Sequence, residues 1–539
     1  MTDKLDHADN TRLAEEAAAK ERQMGFREVL ATYYPAALWS AFLSCGLIME
    51  GYDIGIINAF FGQNEFINHF GHTNAQGKKY IPATWQSLMN NGAQIGQIIG
   101  LLINGYAQAK FGSKRTYAAG MILMVGAIFL PVFSKNLPML FGGELLCGIP
   151  WGIFQTLTTA YAADICPVIL RAYLASYVNM CWGIGLFLAA GIVRASLQIH
   201  GIWGWRMPYV LQWFWPVPLF IGVMFAPESP RWLVQNGRNE EARETIRRLA
   251  RTGHYTEEAL DAQVALLVHQ NELEKEEASG RSYADCFKGT NRRRTEICCV
   301  VWAIQILCGQ AIAGYATQFL RAAGMSQTGA FNINLISYSM FLVGGFVYWI
   351  TTHHFGRRTI QLTGLGMLAC SHAVLAAMGF VHAAHPENNN IARAIGGILV
   401  ITNFSFTTTL GPGTYAIVAE MPSSRVRPPT VALARVCYVV SAIVIQQLLP
   451  RMLTPQGWGW GTRASCLFIG TCVASWIYCY FRLPETKGRT YGELDKLFSQ
   501  KVPARQFASK SVNEFARVDH DAPSDAKDEE ERIEDMKKH

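Results

Sequence analysis

The sequence predicts an all-α polytopic membrane protein: twelve transmembrane helices in two sets of six, with a helical domain between the sets. Three observations carry this reading. Half of the 539 residues are hydrophobic and only 16% are charged. The charge is concentrated in both tails and one central stretch. Mainly apolar runs of about 18 to 25 residues recur along the chain, each enough for roughly 30 Å of helix. A large soluble protein has no use for such runs.

The first six spans fall near 36–60, 84–109, 115–134, 139–163, 173–196 and 208–226, and the second six near 297–322, 330–351, 360–382, 392–418, 430–453 and 463–483. The expected organisation is an N-terminal tail over 1–35, a six-helix bundle over 36–226, a linker domain over 227–296, a second bundle over 297–483 and a C-terminal tail over 484–539. The linker has helical charge patterning, as in Glu240-Glu241-Ala242-Arg243 and Arg247-Arg248. Cations near the span ends (Lys110, Lys114, Arg115, Arg171, Arg292 to Arg294, Arg357, Arg358, Arg425 and Arg427) fall on alternate connections, so both termini are expected in the cytoplasm. The first residues contain Glu15, Glu16 and Glu21 and lack a short apolar core, which argues against a cleaved signal peptide. The last residues, with Asp528-Glu529-Glu530-Glu531, read as a solvated tail.

Within the first span, Met49-Glu50-Gly51-Tyr52-Asp53-Ile54-Gly55 places two carboxylates in an apolar segment, with no lysine or arginine between Arg27 and Lys78. An ionised carboxylate at mid-bilayer costs on the order of 3 kcal/mol, so such acids point to function. Glu50 and Asp53 are three residues apart and share a helix face. The fourth span contributes Glu144. By helix rise, Asp53 sits about seven residues, or roughly 10 Å, below the outer end of its span, and Glu144 about five residues, or roughly 8 Å, in from the outside. The three acids are therefore expected to meet at one level. Like charges gathered in a poorly solvated site raise each other's pKa, which makes a proton site without a fixed cation.

The two sets repeat a pattern of charged ends. Gly112 with Lys114-Arg115 corresponds to Gly356-Arg357-Arg358; Asp164 to Arg171 corresponds to Glu420 to Arg427; Pro227-Glu228-Ser229-Pro230-Arg231-Trp232 corresponds to Pro484-Glu485-Thr486-Lys487-Gly488-Arg489. Duplicated halves of this kind suit alternating access. Asp164, Arg171, Glu228, Arg231, Arg357, Glu420 and Arg427 are the candidate cytoplasmic gate, able to pair across the halves when that side is shut.

Gln86, Asn90, Gln94 and Gln97 form a polar stripe at helical spacing in the second span. The stripe faces either a cavity or neighbouring helices, with Gln94 the candidate ligand contact by depth. Gln310 and Tyr438 are candidates on the same ground. Arg435, eight residues beyond Arg427, pairs with an acid, contacts a ligand or snorkels.

Tyr161-Ala162-Ala163-Asp164-Ile165-Cys166-Pro167 with Arg171, Pro227 to Trp232, and Pro484 to Gly488 resemble the signature motifs of the sugar porter family of the major facilitator superfamily, and the likeness extends from residue 36 to about 498. Met49 to Asp53, Cys147-Gly148-Ile149-Pro150-Trp151-Gly152 and Glu420-Met421-Pro422-Ser423-Ser424-Arg425 resemble in particular the fungal maltose and α-glucoside permeases, proton symporters of the plasma membrane. The resemblance implies the major facilitator fold, and as sugar contacts it implies Asn179, Gln305, Tyr315 and Tyr415. Ile306 and Ala311 stand where monosaccharide members have polar residues, which implies room for a second sugar ring. Ala109-Lys110 and His353-His354 replace the usual Asp-Arg before each glycine turn, and Glu144 occupies the place of an arginine common in proton-coupled monosaccharide members.

The expected function is proton-coupled uptake of maltose-type α-glucosides at the plasma membrane, with an uncoupled facilitator and a non-transporting sugar sensor as alternatives. The expected partners are the sugar, protons and the lipid bilayer, with no nucleic acid and a monomeric chain. No cofactor other than the coupling proton, no metal and no catalytic arrangement is expected: His353-His354 lacks a second ligand pair, no phosphate-binding glycine loop exists, and no nucleophile and base fall into register. The thirteen cysteines read as small hydrophobes, Asn403-Phe404-Ser405 as a sequon inside a span, and Arg292 to Arg294 as topology-fixing or lipid-facing cations.

Overall fold

Caps and prolines at the helix starts punctuate the chain. The Asn136 side chain accepts from the Met139 amide at 2.9 Å, and Ser326 accepts from Gly329 at 3.2 Å. Proline stands in the first turn of the helices that begin at Tyr34, Leu137, Pro216 and Arg427, where its missing N–H is no loss. The computed structural model describes residues 26–74, 77, 79–278, 283–322, 324–385, 389–423, 426–454, 457–487, 489 and 491–510. The first residues, Arg425 and the acidic run at 528–531, each read from the sequence above, lie outside them.

A short helix, α1 (Phe26–Thr32), leads into the first span, made of α2 (Tyr34–Ser44) and α3 (Gly46–Phe60). After α4 (Asn64–Phe70) and a two-residue hairpin come α5 (Ala83–Phe111), α6 (Ser113–Val132), α7 (Leu137–Ile165), α8 (Val168–Ser196), and α9 (Trp203–Leu211) with α10 (Pro216–Phe225) as the sixth span. The linker carries α11 (Pro230–Gln235), α12 (Asn239–Leu249) and α13 (Glu257–Ala278). The second half runs α14 (Gly289–Leu307), α15 (Ala311–Gly314), α16 (Ala316–Ala322), α17 (Gln327–His354), α18 (Arg357–Ala384), α19 (Asn389–Thr408), α20 (Leu410–Glu420), α21 (Arg427–Leu453) and α22 (Ser465–Arg482), followed by α23 (Tyr491–Ser499).

Among the described residues, eleven helical stretches are long and apolar enough to cross a membrane. The twelfth expected span is α5, whose 29 residues have the length but whose buried face bears Gln86, Asn90, Asn91, Gln94, Gln97 and Asn104. Its shortfall in apolarity is the polar stripe itself.

Helix α5 packs on α7, and α3 on α8, within the first half; α14 packs on α21, α17 on α19 and α18 on α22 within the second. The halves meet through α8 against α17 and α5 against α21. Glycine sets the closest approaches. A Cβ at Gly96 would lie 2.1 Å from the Leu145 carbonyl oxygen, and one at Gly148 2.3 Å from that of Ala93; Gly51 and Gly185 meet the backbones of Trp182 and Ile48 in the same way. Small residues let membrane helices touch backbone to backbone where hydrophobic burial supplies no drive. The Cys147 to Gly152 motif is therefore a contact surface for α5.

At the end distant from both termini, the Arg321 guanidinium donates to the Gly62 carbonyl and to Asn64 Oδ1, and Arg194 Nε donates to Asn332 at 2.8 Å. These bonds join the halves. At the terminal end, α23 docks on the start of α14: Arg294, 2% exposed, pairs with Asp495, and the Arg293 and Arg294 guanidinium groups lie over the Phe498 ring at 5.4 and 4.6 Å. That corrects the reading of these two arginines as lipid-facing. Helix α14 starts at Gly289, upstream of the expected span, and carries them into protein contact.

Overpacking a close helix contact costs about 1 to 3 kcal/mol. Gly148→Ala is accordingly expected to lower the thermal unfolding midpoint of the purified protein by several degrees, whereas Gly142→Ala, which meets open space, leaves it unchanged.

Candidate functional site

Two of the three predicted acids meet. Asp53 on α3 and Glu144 on α7, each 1% exposed, lie within electrostatic reach of one another. Gln212 donates to Asp53 Oδ1, and the Tyr209 hydroxyl donates to Glu144 Oε1 at 3.0 Å. Tyr209 stands in the last turn of α9, and Gln212 opens the 3-10 turn over Gln212–Phe214 that interrupts the sixth span. The Tyr52 hydroxyl ties that interruption to α3 by donating to the Pro208 carbonyl at 2.9 Å.

Glu50 has a separate set of partners, so the expected meeting of three acids is corrected. Its Oε1 accepts from Gln97 Nε2 at 2.9 Å and from Gln155 Nε2. Gln155 Oε1 in turn accepts from the Arg435 guanidinium, which stands within electrostatic reach of Glu50. Three residues advance a helix by 300°, about 60° short of a full turn, and that offset aims Glu50 at the interface between halves and Asp53 into its own bundle. Arg435 resolves the options left open by its sequence position: it faces an acid of the other half. Its guanidinium lies 4.9 Å from the Trp302 ring centre and 4.3 Å from that of Tyr438, with Tyr415 within electrostatic reach. Trp302 packs edge to face with Tyr415 and Tyr438 at 4.9 and 5.4 Å. Cation–π contact of this kind strengthens when desolvated.

The amide candidates line the same region. Asn90 donates to the Tyr315 hydroxyl at 2.8 Å and to Asn58 Oδ1 at 3.2 Å, linking α5 to the second half. Tyr315 stacks on Phe61. Gln305 Nε2 donates to the Gly411 carbonyl at 2.7 Å, and Asn179 is close to the same glycine. Gln310 donates to Asn403 at 2.8 Å. Gln94 is buried with an Oε1 that has no partner. The polar stripe is thus divided: Gln86 caps the Ile81 carbonyl, Asn90 and Gln97 bond other helices, and Gln94 retains a free acceptor.

Sequence reasoning missed Gln155, Gln212, Tyr209, Asn58 and Trp302 as members of this network. Gln155 carried a usable signal, being an amide in the middle of an apolar span. Gln212 and Tyr209 carried none: one opens the break in the sixth span and the other stands in the helical turn before it.

The terminal ends show the internal repeat atom by atom. Glu228 accepts from the Ser113 and Lys114 amides at the start of α6, and Glu485 accepts from the Arg357 and Arg358 amides at the start of α18. Ser229 Oγ donates to Asp164 at 2.7 Å, and Thr486 Oγ1 donates to Glu420 at 2.6 Å. A carboxylate on a helix N-terminus satisfies orphan donors and the macrodipole together. Burial raises the Glu228 pKa, and the amides of Ser229, Lys114 and Ser113 oppose the shift. Gly112 and Gly356 precede the capped helices and touch the glutamates that cap them. The match therefore sets Ser113 against Arg357 and Lys114 against Arg358, one residue off the expected register. Arg357 pairs with Glu420 at 3.0 Å within its own half, so the expected pairing across the halves is replaced here by pairing inside one. Serine stands at 113, the position equivalent to Arg357. Arg231 has partners of its own, and the side chains of Arg171 and Arg427 lie outside the described residues.

Removing the Arg435 guanidinium leaves Gln155 Oε1 without its donor and buried Glu50 without a facing cation, a loss of about 1 to 3 kcal/mol. Arg435→Gln is therefore expected to lower the unfolding midpoint more than Glu50→Gln combined with Arg435→Gln, as measured on the purified protein in detergent.

Residues 39–498 match the family model described as sugar (and other) transporter. A general alpha-glucoside permease of Saccharomyces cerevisiae is 38% identical over 521 residues, covering 95% of this chain and 83% of its own. A maltose permease of the same yeast is 36% identical over 509 residues, covering 93% and 82%. Among solved structures, the proton:xylose symporter XylE, a major facilitator superfamily protein bound to 6-bromo-6-deoxy-D-glucose, superposes with a TM-score of 0.68 at 19% identity, covering 86% of this chain and 99% of that one. A partially occluded inward-open form of XylE from E. coli gives 0.67 at 18% identity, covering 85% and 99%. At that identity the likeness shows the fold. With the matched motifs, the two related halves and a polar network at their interface, the chain belongs to the sugar transporter family and has the major facilitator fold.

Proposed function

We propose that this protein imports α-glucoside disaccharides of the maltose type together with protons, across the plasma membrane, by alternating access of residues 36–226 against 297–483. The linker over 227–296 and both tails face the cytoplasm. The observation that carries the reading is the bridge from Glu50 through Gln155 to Arg435, which ties an acid of one half to a cation of the other. Homology to alpha-glucoside and maltose permeases supports the substrate class.

The bridge and the carboxyl pair divide the work. Two carboxyls buried beside one another cannot both ionise cheaply, so the Asp53 and Glu144 pair shares one proton, with Gln212 and Tyr209 fixing the position of each. Sugar hydroxyls need paired donors and acceptors, which Gln94, Asn179, Gln305 and Gln310 supply, and pyranose faces stack on Tyr315, Tyr415 and Tyr438. A hydroxyl that takes the Gln155 amide or the Arg435 guanidinium loosens the bond between the halves. Protonation then favours the sugar-bound state because each ligand shifts the equilibrium through differential affinity. At the terminal end, Glu228 and Glu485 cap α6 and α18, and the Arg357–Glu420 pair with Asp164 keeps each half rigid as it rocks.

The driving force suffices. One charge moved through about 100 mV supplies roughly 2.3 kcal/mol, and one pH unit adds about 1.4 kcal/mol. Together these permit accumulation of several-hundred-fold at one proton per sugar.

Radiolabelled maltose uptake in a transport-null cell is expected to be concentrative and to collapse to equilibration with a protonophore; uptake indifferent to the protonophore would mark a facilitator instead. Asp53→Asn with Glu144→Gln is expected to reduce accumulation from several-hundred-fold to about onefold while sugar counterflow persists.

A further inference from the structure

The seventh span is interrupted between two candidate sugar contacts. Helix α14 ends at Leu307, the chain turns through Cys308 and Gly309 at φ +87°, and helix resumes at Ala311. Gln305 precedes the turn and Gln310 follows it. A helix that ends inside a bilayer exposes carbonyls that have lost their intrahelical donors, and water does not reach them.

Three side chains from two other helices answer those carbonyls. Thr471 Oγ1 on α22 donates to the Leu307 carbonyl at 2.6 Å. His372 Nε2 on α18 lies 2.8 Å from the Cys308 carbonyl oxygen, to which Cys472 Sγ is also directed at 3.6 Å. An imidazole facing a carbonyl carries its proton on the facing nitrogen, so Nε2 donates. His372 is fully buried, its ring tilts against Phe468, and its Nδ1 has no partner. The fit is tight: a Cβ at Gly309 would stand 2.4 Å from His372 Nε2 and 2.9 Å from Phe468 Cγ. A leucine would fill this space without burying an unpaired nitrogen, so what the imidazole adds is the bond to Cys308.

We propose that His372, with Thr471, is a positioning residue that fixes the break in the seventh span and so sets the spacing of Gln305 and Gln310 toward the sugar, an inference that rests on the functional reading above. In an unbroken helix those two amides would stand about 7.5 Å apart along the axis and some 140° apart around it. The turn at Gly309 replaces that geometry, and the clamp holds it.

The test is maltose uptake by the full-length chain in a transport-null cell, with surface protein quantified. Wild type is measured first: no α-glucoside uptake by wild type refutes the functional reading, independently of His372. His372→Leu is expected to raise KM about tenfold, with Vmax per surface molecule within about twofold of wild type. His372→Gln places an amide nitrogen where Nε2 stands and is expected to restore a near wild-type KM. Thr471→Val is expected to raise KM in the same sense and Thr471→Ser to restore it, which decides the matter if His372→Leu does not reach the surface. An unchanged KM in His372→Leu and Thr471→Val, or equal KM values for the leucine and glutamine variants, overturns the proposal.

Discussion

A carboxylate inside a bilayer has to be answered from within the protein, and Glu50 is answered from the opposite half. Two glutamines on its own side and one arginine across the interface share the task. Every other feature of the site accommodates that requirement. Arg435 is half-buried, and it is held against Trp302 and Tyr438, whose ring faces supply negative potential without a second full charge. The aromatic box and the acid thus stabilise one another through a single glutamine, and a ligand that competes for Gln155 acts on both halves at once.

Broken helices supply what straight ones withhold. The interruption after Leu211 places Gln212 on the Asp53 carboxyl, and the interruption after Leu307 separates Gln305 from Gln310. Irregular backbone at membrane depth is tolerated where protein groups replace water, and here Tyr52, Thr471 and His372 do so. Close packing elsewhere makes those interruptions affordable: glycines on α3, α5, α7 and α8 bring backbones into contact and leave the polar residues facing the interface.

The two halves keep a common plan at their terminal ends and differ where the plan bears charge. Glu228 and Glu485 cap equivalent helices, and Asp164 and Glu420 take equivalent hydroxyls. In the second half Arg357 pairs with Glu420, and Ser113 stands at the position equivalent to Arg357 in the first. The expected register matched cations to cations and was one residue out. Charge identity misled it, whereas the glycine turn and the capping carboxylate define the equivalence.

The sequence alone determined the twelve-span layout, the duplicated halves, the family and the intramembrane acids, since each depends on local length, apolarity and charge. It also placed Asn90, Gln305, Gln310, Tyr315, Tyr415 and Tyr438 in a polar region that the fold brings together. Only the tertiary structure decided that Glu50 parts from Asp53, that Arg435 serves an acid on the other half, and that Arg293 and Arg294 hold the C-terminal helix. A rotation of about 60° along one helix, and the breaks that redirect two others, choose the partners of those charges. Such offsets come from packing between segments far apart in the chain.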